Sequence, residues 1–425
     1  MRYDLVIRGG EVIDPSTSGL RRLDVAVSRG RIAAVEPAIP DSAAVEVIDG
    51  RGRVVAPGLV DIHTHIYRGA TFFGVAHDAI AWRTGVTTWV DAGSAGAFSL
   101  PGFREFIATT AATRVHAFLN ISSIGLVADT GEMTDLRHGN VDLAIRSIEE
   151  NGELVVGVKV RISNRVVGAN GIEPLRLARH VADACRVPVM VHIGHGPPTL
   201  NDILDLLRAG DIVTHCCTGA SMRLLNERGR LHDAVRRARY SGVLFDVGHG
   251  SSSFLFNVAE ALLEQGFRPD IISSDLHQRN VYGPVFDLPT CMTKMMLMGM
   301  SLGDVIRATT MNPSSALGLD TGSLRVGRSA DIAMFKITKG RFPYYDGSLD
   351  VRWGNERIEN VLTLRAGRRL SPVLLPEPAP WIELTGSQRE AVLAATERAR
   401  SGVSFELDSP EDFQVGPTVV QPLSD

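Results

Sequence analysis

The sequence predicts an α/β protein: a (β/α)8 TIM-type barrel carrying a small β-sandwich built from both chain ends. Three observations support this. Eight short runs rich in Val, Ile and Leu recur through the middle of the chain, as parallel strands buried on both faces require. Stretches with helical spacing of apolar residues follow them. Alternating, glycine-punctuated β segments open the chain and return after residue 322.

In chain order, "DLVIRGGEVID", "LDVAVSRGRIAAVE" and "AVEVIDGRGRVVAPG" alternate like half-buried antiparallel strands. They match the late segments "GSLRVGRSADIAMFKI" and "ENVLTLRAGRRL", so the sandwich is expected from 1–56 plus 322–370. The barrel is expected over 57–321. Its strands are read from "LVDIH", "VTTWVDAG", "RVHAFLNIS", "ELVVGVKVR", "VPVMVHIGH", "DIVTHC", "GVLFDVGH" and "DIISSDLH". Segments such as "NDILDLLRAG" and "SSFLFNVAEALLEQG" carry apolar residues at helical spacing between them. Eight strands each followed by a helix is the recipe for the closed barrel. The tail, 371–425, starts proline-rich at "SPVLLPEPAPW". It continues as one helix in "TGSQREAVLAATERARSG", with Thr385 or Ser387 near its cap, and ends extended or loose. The apolar face around Val392 and Leu393 needs something to cover it.

With 425 residues, 44% hydrophobic and 22% charged, the chain has material for a large core. A net charge of −4 and the lack of a basic tract give no reason to expect nucleic acid or an anionic membrane. No run of 18 apolar residues spans a bilayer, and the start "MRYDLVIRGGEVID" lacks a signal peptide's apolar core. Cys185, Cys216, Cys217 and Cys291 form neither a disulfide framework nor a CxxC pair, which points to the reduced cytoplasm. The partners expected are a small-molecule substrate and, at most, further copies of the same chain.

In a barrel, function gathers where strands end. Of twelve histidines, seven (His63, His65, His192, His195, His215, His249 and His277) fall at or just past the ends of the first, fifth, sixth, seventh and eighth barrel runs. In "VVAPGLVDIHTHIY", alternation puts His63 and His65 on one face. One strand-end histidine is more often structural than functional, but seven on one rim reverse that preference. Neutral imidazoles with a carboxylate suit zinc and similar divalent ions. Asp275 in "IISSDLH" is the preferred carboxylate; Asp246 and Asp91 are rivals whose plainer role is capping a loop. Lys159 is the odd residue. It lies in the apolar run "GELVVGVKVRIS", where burial lowers its pKa and favours a neutral amine. A lysine snorkelling to the barrel mouth is the plain alternative. The sharper one is that the amine adds carbon dioxide to become a carbamate bridging two cations.

The paired histidines, the lysine, the single histidines at 192 and 215 and the aspartate resemble the binuclear amidohydrolase superfamily over roughly residues 1 to 370. "DAGSAGAFSLPGFREFI", "TRVHAFLNISSIGLV" and "SSDLHQRNVYGPVFDLPTCMTKMMLMGMSL" are similar to its dihydroorotase-like "amidohydrolase/deacetylase" branch; the tail does not match. The resemblance implies that His63, His65 and Asp275 hold one metal, that His192 and His215 hold the other, and that carboxylated Lys159 bridges them. It implies two divalent ions, zinc first, and a metal-bridging hydroxide that deacylates an N- or O-acylated carboxylic acid. Asp275 is the expected proton carrier, with His249 or His277 steadying the oxyanion or leaving group, or else orienting the ligands. His195 is expected behind the ligands as well. Arg68, Arg161, Asn120 and Ser94 are candidates for substrate contact, with Arg165 and Ser122 beside them. A dihydroorotase- or hydantoinase-like cyclic amidase is the first alternative. A mononuclear deaminase would not need Lys159, and usually has a glutamate where "HIGHGPP" has His195. A non-catalytic scaffold on the same fold is disfavoured by the full set of ligand types.

Overall fold

The computed structural model describes residues 2–400 except Ser18 and Thr130, with side chains up to Ala394. The expected loose end of the tail, 401–425, lies outside the described residues.

Strands from both chain ends share one sheet. Strands β1 (Tyr3–Ile13), β2 (Leu20–Ser28), β3 (Arg31–Glu36), β4 (Ala44–Asp49) and β5 (Val54–Pro57) come from the beginning of the chain. At β1 the sheet forks. One edge of β1 pairs antiparallel with β2, while the other pairs parallel with β4 near its start and with β5 near its end. The late strands β13 (Ile332–Tyr345), β14 (Val351–Arg365) and β15 (Arg368–Arg369) add on beside β5. Leu5, Ile7, Val25, Val55, Ile332 and Leu364 meet in one apolar layer, while Val6, Ala26, Ala34 and Ala44 form another. The two faces of alternating strands thus serve two different cores.

Between them lie seven parallel strands in chain order: β6 (Leu59–Thr64), β7 (Val86–Ala92), β8 (Arg114–Asn120), β9 (Val155–Ile162), β10 (Val189–Ile193), β11 (Ile212–Thr214) and β12 (Leu244–Asp246). Val60, Ile62, Val90, Phe118, Met190, Ile212 and Ile271 form one buried cluster. Residues from strands that are not neighbours meet in this way only inside a curled sheet, so the cluster fills the barrel. A second, larger cluster packs the outer strand faces, such as Trp89 and Val191, against helices that include Glu173–Cys185 and Phe256–Glu264.

The eighth run differs from its expectation as a regular strand. It closes the barrel through two isolated parallel bridges, Asp246–Ile271 and Thr64–Leu276. Side chains take over from the ladder between them. Asp61 accepts from the backbone N–H and the hydroxyl of Ser274, and Asp246 accepts from the hydroxyl of Ser273. Asp275 then sits at φ +50°, outside extended geometry, with its N–H on the carbonyl of His63.

Asp331 ties the two sheets together. It is buried at the start of β13, pairs with Arg114 and Arg365, and its carbonyl accepts from Gly58, between β5 and β6. The tail helix Gly386–Arg400 starts at Thr385, whose hydroxyl accepts from the N–H of Gln388 while the Gln388 side chain accepts from Thr385 N–H, a reciprocal cap. Leu393 on that helix is exposed. Among the described residues no helix is long and apolar enough to cross a membrane.

If the Asp61–Ser274 clasp closes the barrel, Ser274→Ala should lower stability by about 1–3 kcal/mol, because the buried carboxylate loses a donor. A shift of the denaturant midpoint at unchanged slope would report it; an unmoved midpoint would mean that the two bridges close the barrel alone.

Candidate metal centre

Three donors meet at the end of β6. His63 Nε2 and His65 Nε2 lie 3.5 and 3.2 Å from Asp275 Oδ1. This is the one group of three such donors, among the described residues, close enough to share an ion. Lys159 Nζ approaches His63 Nε2 at 3.0 Å from inside β9, resting on Met190 Sδ. On the far side, His192 Nδ1 and His215 Nε2 face each other at 2.7 Å, and the His215 ring lies 5.1 Å from that of His63. The six residues read as ligands are therefore brought to one place.

Hydrogen bonds behind the rings set which nitrogen faces inward. The hydroxyl of Thr214 donates to Asp246, so it accepts from His63 Nδ1 at 2.8 Å and leaves the His63 Nε2 lone pair free. His215 Nδ1 donates to the carbonyl of Gly248 at 2.6 Å, which frees its Nε2 in the same way. Ser94 Oγ meets His65 Nδ1 at 2.9 Å, while Asp91 receives the N–H groups of Ser94 and Ile66. Asp91 and Asp246 thus brace the loops and rings, and Asp275 alone of the three faces the inward nitrogens. Gly248 and Gly250 make room for this. A Cβ on Gly248 (φ +46°) would lie 3.0 Å from His63 Nδ1, and one on Gly250 (φ +58°) would lie 2.6 Å from Asp275 Oδ2.

Burial governs the charges. Exclusion of water, reinforced by neighbouring cationic groups, holds His63, His65 and His192 well below their ordinary pKa. Burial brings His215 to about 4 and the Lys159 amine down to about 7. Neutral imidazole lone pairs, one carboxylate and a near-neutral amine are a donor set made for divalent cations. The residues present therefore fit the metals that the sequence implied.

The other candidates are distributed differently. His249 is committed elsewhere: its Nδ1 lies 2.8 Å from the carbonyl of Gly250, its Nε2 lies 2.8 Å from Lys294 Nζ, and its ring stacks on Phe254. His277 stands beside the cluster, its ring 6.4 Å from that of His65, with Nδ1 accepting from Arg279 N–H. Burial lowers it to about 3. Arg161 grips the buried Glu132 through Nε and Nη2 at 2.7 and 2.9 Å, and its charge reaches His65 and His192. Arg68 is exposed and faces Leu375 and Pro376 of the tail across a small hollow. Asn120 spends its amide on the carbonyl of Gly93 and the N–H of Ser122, and Ser122 bonds the carbonyl of Glu132. His195 and Arg165 are both exposed.

Three participants carry no clear mark in the sequence. Lys294 is fully buried and donates to the carbonyls of Pro284 and Tyr345 as well as meeting His249. Its helix carries "TKMMLM", and only the lysine inside that apolar run hints at a buried charge. Glu132 lies in a loop with no pattern to mark it. Phe73 packs edge-on against both His65 and His277, with ring centroids 4.6 and 4.8 Å away.

Comparison with known proteins agrees with this site. The model of the amidohydrolase family matches residues 54–363. A deacetylase of Brucella anthropi is 38% identical over 79% of this chain and 85% of its own. A deacetylase of Enterococcus faecalis is 35% identical over 87% of this chain and 99% of its own. Two solved structures, described as an adenine deaminase and a dihydroorotase, superpose with a TM-score of 0.81 at 34% identity. They cover 86% and 88% of this chain and 99% of their own. The histidine-rich barrel mouth and the family match together make this chain a member of the amidohydrolase family, a metal-dependent hydrolytic enzyme.

Proposed function

We propose that the chain is a binuclear deacylase acting on a small N- or O-acylated carboxylic acid. The observation that carries this reading is the presence of two donor groups side by side: His63, His65 and Asp275 in one, His192 and His215 in the other, with Lys159 against the first. That is more donors than one tetrahedral ion takes, and their chemistry suits zinc. Two relatives at 35–38% identity are called deacetylases, which favours acyl cleavage over ring opening. The unpaired thiols of all four cysteines suit a reduced cytoplasm.

A pKa near 7 leaves much of Lys159 as free amine. Its nitrogen can bond the carbon of carbon dioxide and release one proton; the carbamate formed would add two anionic oxygens to the donor set. Bound cations polarise a scissile carbonyl and acidify a water molecule. Asp275 accepts the proton of the attacking water and returns it to the departing nitrogen or oxygen. Its side chain, 13% exposed against 1% for His63 and 5% for His65, is the most open member of the first donor group. Arg161 is the anchor for the substrate carboxylate. Glu132 holds Nε and Nη2, while Nη1 makes no hydrogen bond within the protein among the described residues, so a planar donor is pre-oriented beside the cluster. Asn120, Ser94 and His249 act by holding loops and rings, and His277 lines the mouth.

Cyclic amide hydrolysis is the second reading, favoured by the solved dihydroorotase relative. The decisive assay sets acetylated hydroxy and amino acids beside dihydroorotate, hydantoins, dihydrouracil and adenine. Turnover of acetylated acids alone is expected; turnover confined to the cyclic compounds would remove the deacylase assignment and keep the metal site.

Elemental analysis of active protein should return two metal equivalents per chain, with intact mass or electron density showing carboxylated Lys159. One equivalent with an unmodified lysine at full activity would end the binuclear model. Asp275→Asn should cut kcat by roughly a thousandfold or more, since it removes both a ligand charge and the proton carrier. Near-normal turnover in that variant would place the proton transfer on another group.

A further inference from the structure

Residues 376–388 of the tail cross the barrel mouth and bind two of its loops at once. From the tail, Trp381 Nε1 donates to the carbonyl of Phe72 at 2.6 Å, and the N–H of Ala379 donates to Gln278 Oε1 at 2.6 Å. Gln278 in turn holds the loop after β6 twice, through its own N–H to the carbonyl of Phe73 and through Nε2 to that of Gly74. Gln388, 6% exposed, donates from one amide nitrogen to the carbonyls of Arg279 and Gly283. Ile382, 7% exposed, buries itself against Phe73 and Leu126. The loop after β6 and the loop after the eighth run are thereby clamped together from outside.

Phe73 is what the clamp holds. Its ring is wedged against His277 and against His65, whose Nε2 lies 3.2 Å from Asp275, with the Phe72 ring 4.0 Å away. Loops at a barrel mouth are ordinarily among the least stable parts of a fold. Here the backbone carbonyls of Phe72, Phe73 and Gly74 are all tied to the tail or to Gln278.

We propose that residues 376–388 are a positioning element of the active-site mouth: a strap that fixes Phe73 as an apolar wall beside His65 and His277 and thereby limits the size of the substrate group lying there. The strap touches no metal ligand directly. It acts on substrate binding through Phe73, and the cluster of donors stands without it. The claim about substrate size rests on the deacylase reading; the claim that the strap holds the two loops does not.

The test uses the full chain carrying Ile382→Ala or Gln388→Ala, with Ile382→Val as the conservative control. Amide hydrogen exchange should speed up in peptides covering 66–76 and 276–284 and stay unchanged in the sandwich strands. For the smallest substrate that the wild type turns over, KM should rise about tenfold with kcat within about threefold, the signature of lost binding and not lost chemistry. Metal content should equal that of the wild type, bulkier substrates should gain relative to the smallest, and Ile382→Val should behave as wild type. Unchanged exchange in those two loops, or kinetic constants that hold while only Tm falls, would overturn the proposal. Loss of metal with loss of activity would also overturn it, by placing the tail's role at the ligands. The exchange measurement needs no substrate. A wild type inert to acetylated acids would therefore defeat the deacylase reading, while the exchange rates would still show whether the strap holds the loops.

Discussion

Exclusion of water from the barrel mouth is the constraint on which the rest depends. His63, His65, His192, His215 and Lys159 lie within a few ångströms of one another, and as cations they would repel strongly. At 4 Å and an effective dielectric of 20, one such pair costs about 4 kcal/mol. Burial settles the conflict by depressing the pKa of every member, leaving lone pairs where charges would have been. The same burial makes the single carboxylate of Asp275 valuable, because it is the one anionic group facing those lone pairs.

Lone pairs are useful only if they are aimed. Here the aiming is done by residues that never face the cluster. Thr214 spends its only proton on Asp246, and so obliges His63 to donate outward and present Nε2 inward. The carbonyl of Gly248 does the same for His215. Gly248 and Gly250 are glycines because a Cβ there would strike the very rings and carboxylate that they support. Lys294, a second buried lysine, meets His249 and two carbonyls, fixing the glycine-flanked histidine that leads into this turn. The two buried lysines therefore do opposite work: Lys159 faces the donors, and Lys294 stands behind them.

Around this centre the chain is divided between closure and access. The forked sheet from both chain ends anchors the base of the barrel through Asp331 and Gly58. The eighth run gives up regular pairing, and the positive φ of Asp275 is what turns its carboxylate towards His63 and His65. A strand that kept its ladder would have carried Asp275 in extended geometry. Weak secondary structure at that point is thus the condition for the site.

Much of this could be read from the sequence. Val-, Ile- and Leu-rich runs announced buried parallel strands, and glycine-punctuated alternation announced the sheet shared by both ends. Seven strand-end histidines and Asp275 stood out because a polar residue at the end of an apolar run is locally anomalous, as Lys159 did inside one; the family resemblance then singled out histidines 63, 65, 192 and 215 among them. Thr385 or Ser387 could be placed near the helix start because a cap is written within four residues, and the bonds between Thr385 and Gln388 chose Thr385. What the sequence could not supply were contacts between distant segments. Glu132 meets Arg161, and Lys294 meets His249, across 29 and 45 positions in the chain. His249 looked like His215 by position, and only its neighbours gave its nitrogens other work. The Asp61–Ser274 bond that stands in for ladder pairing in the eighth run joins residues 213 positions apart. The tail read as a proline-rich stretch and one helix with an apolar face to cover, and its place over the mouth was not foreseen, because apolar periodicity tells that a face must be covered and not by what. Local chemistry determines which residues are unusual; only the closed barrel decides which of them share a space without water.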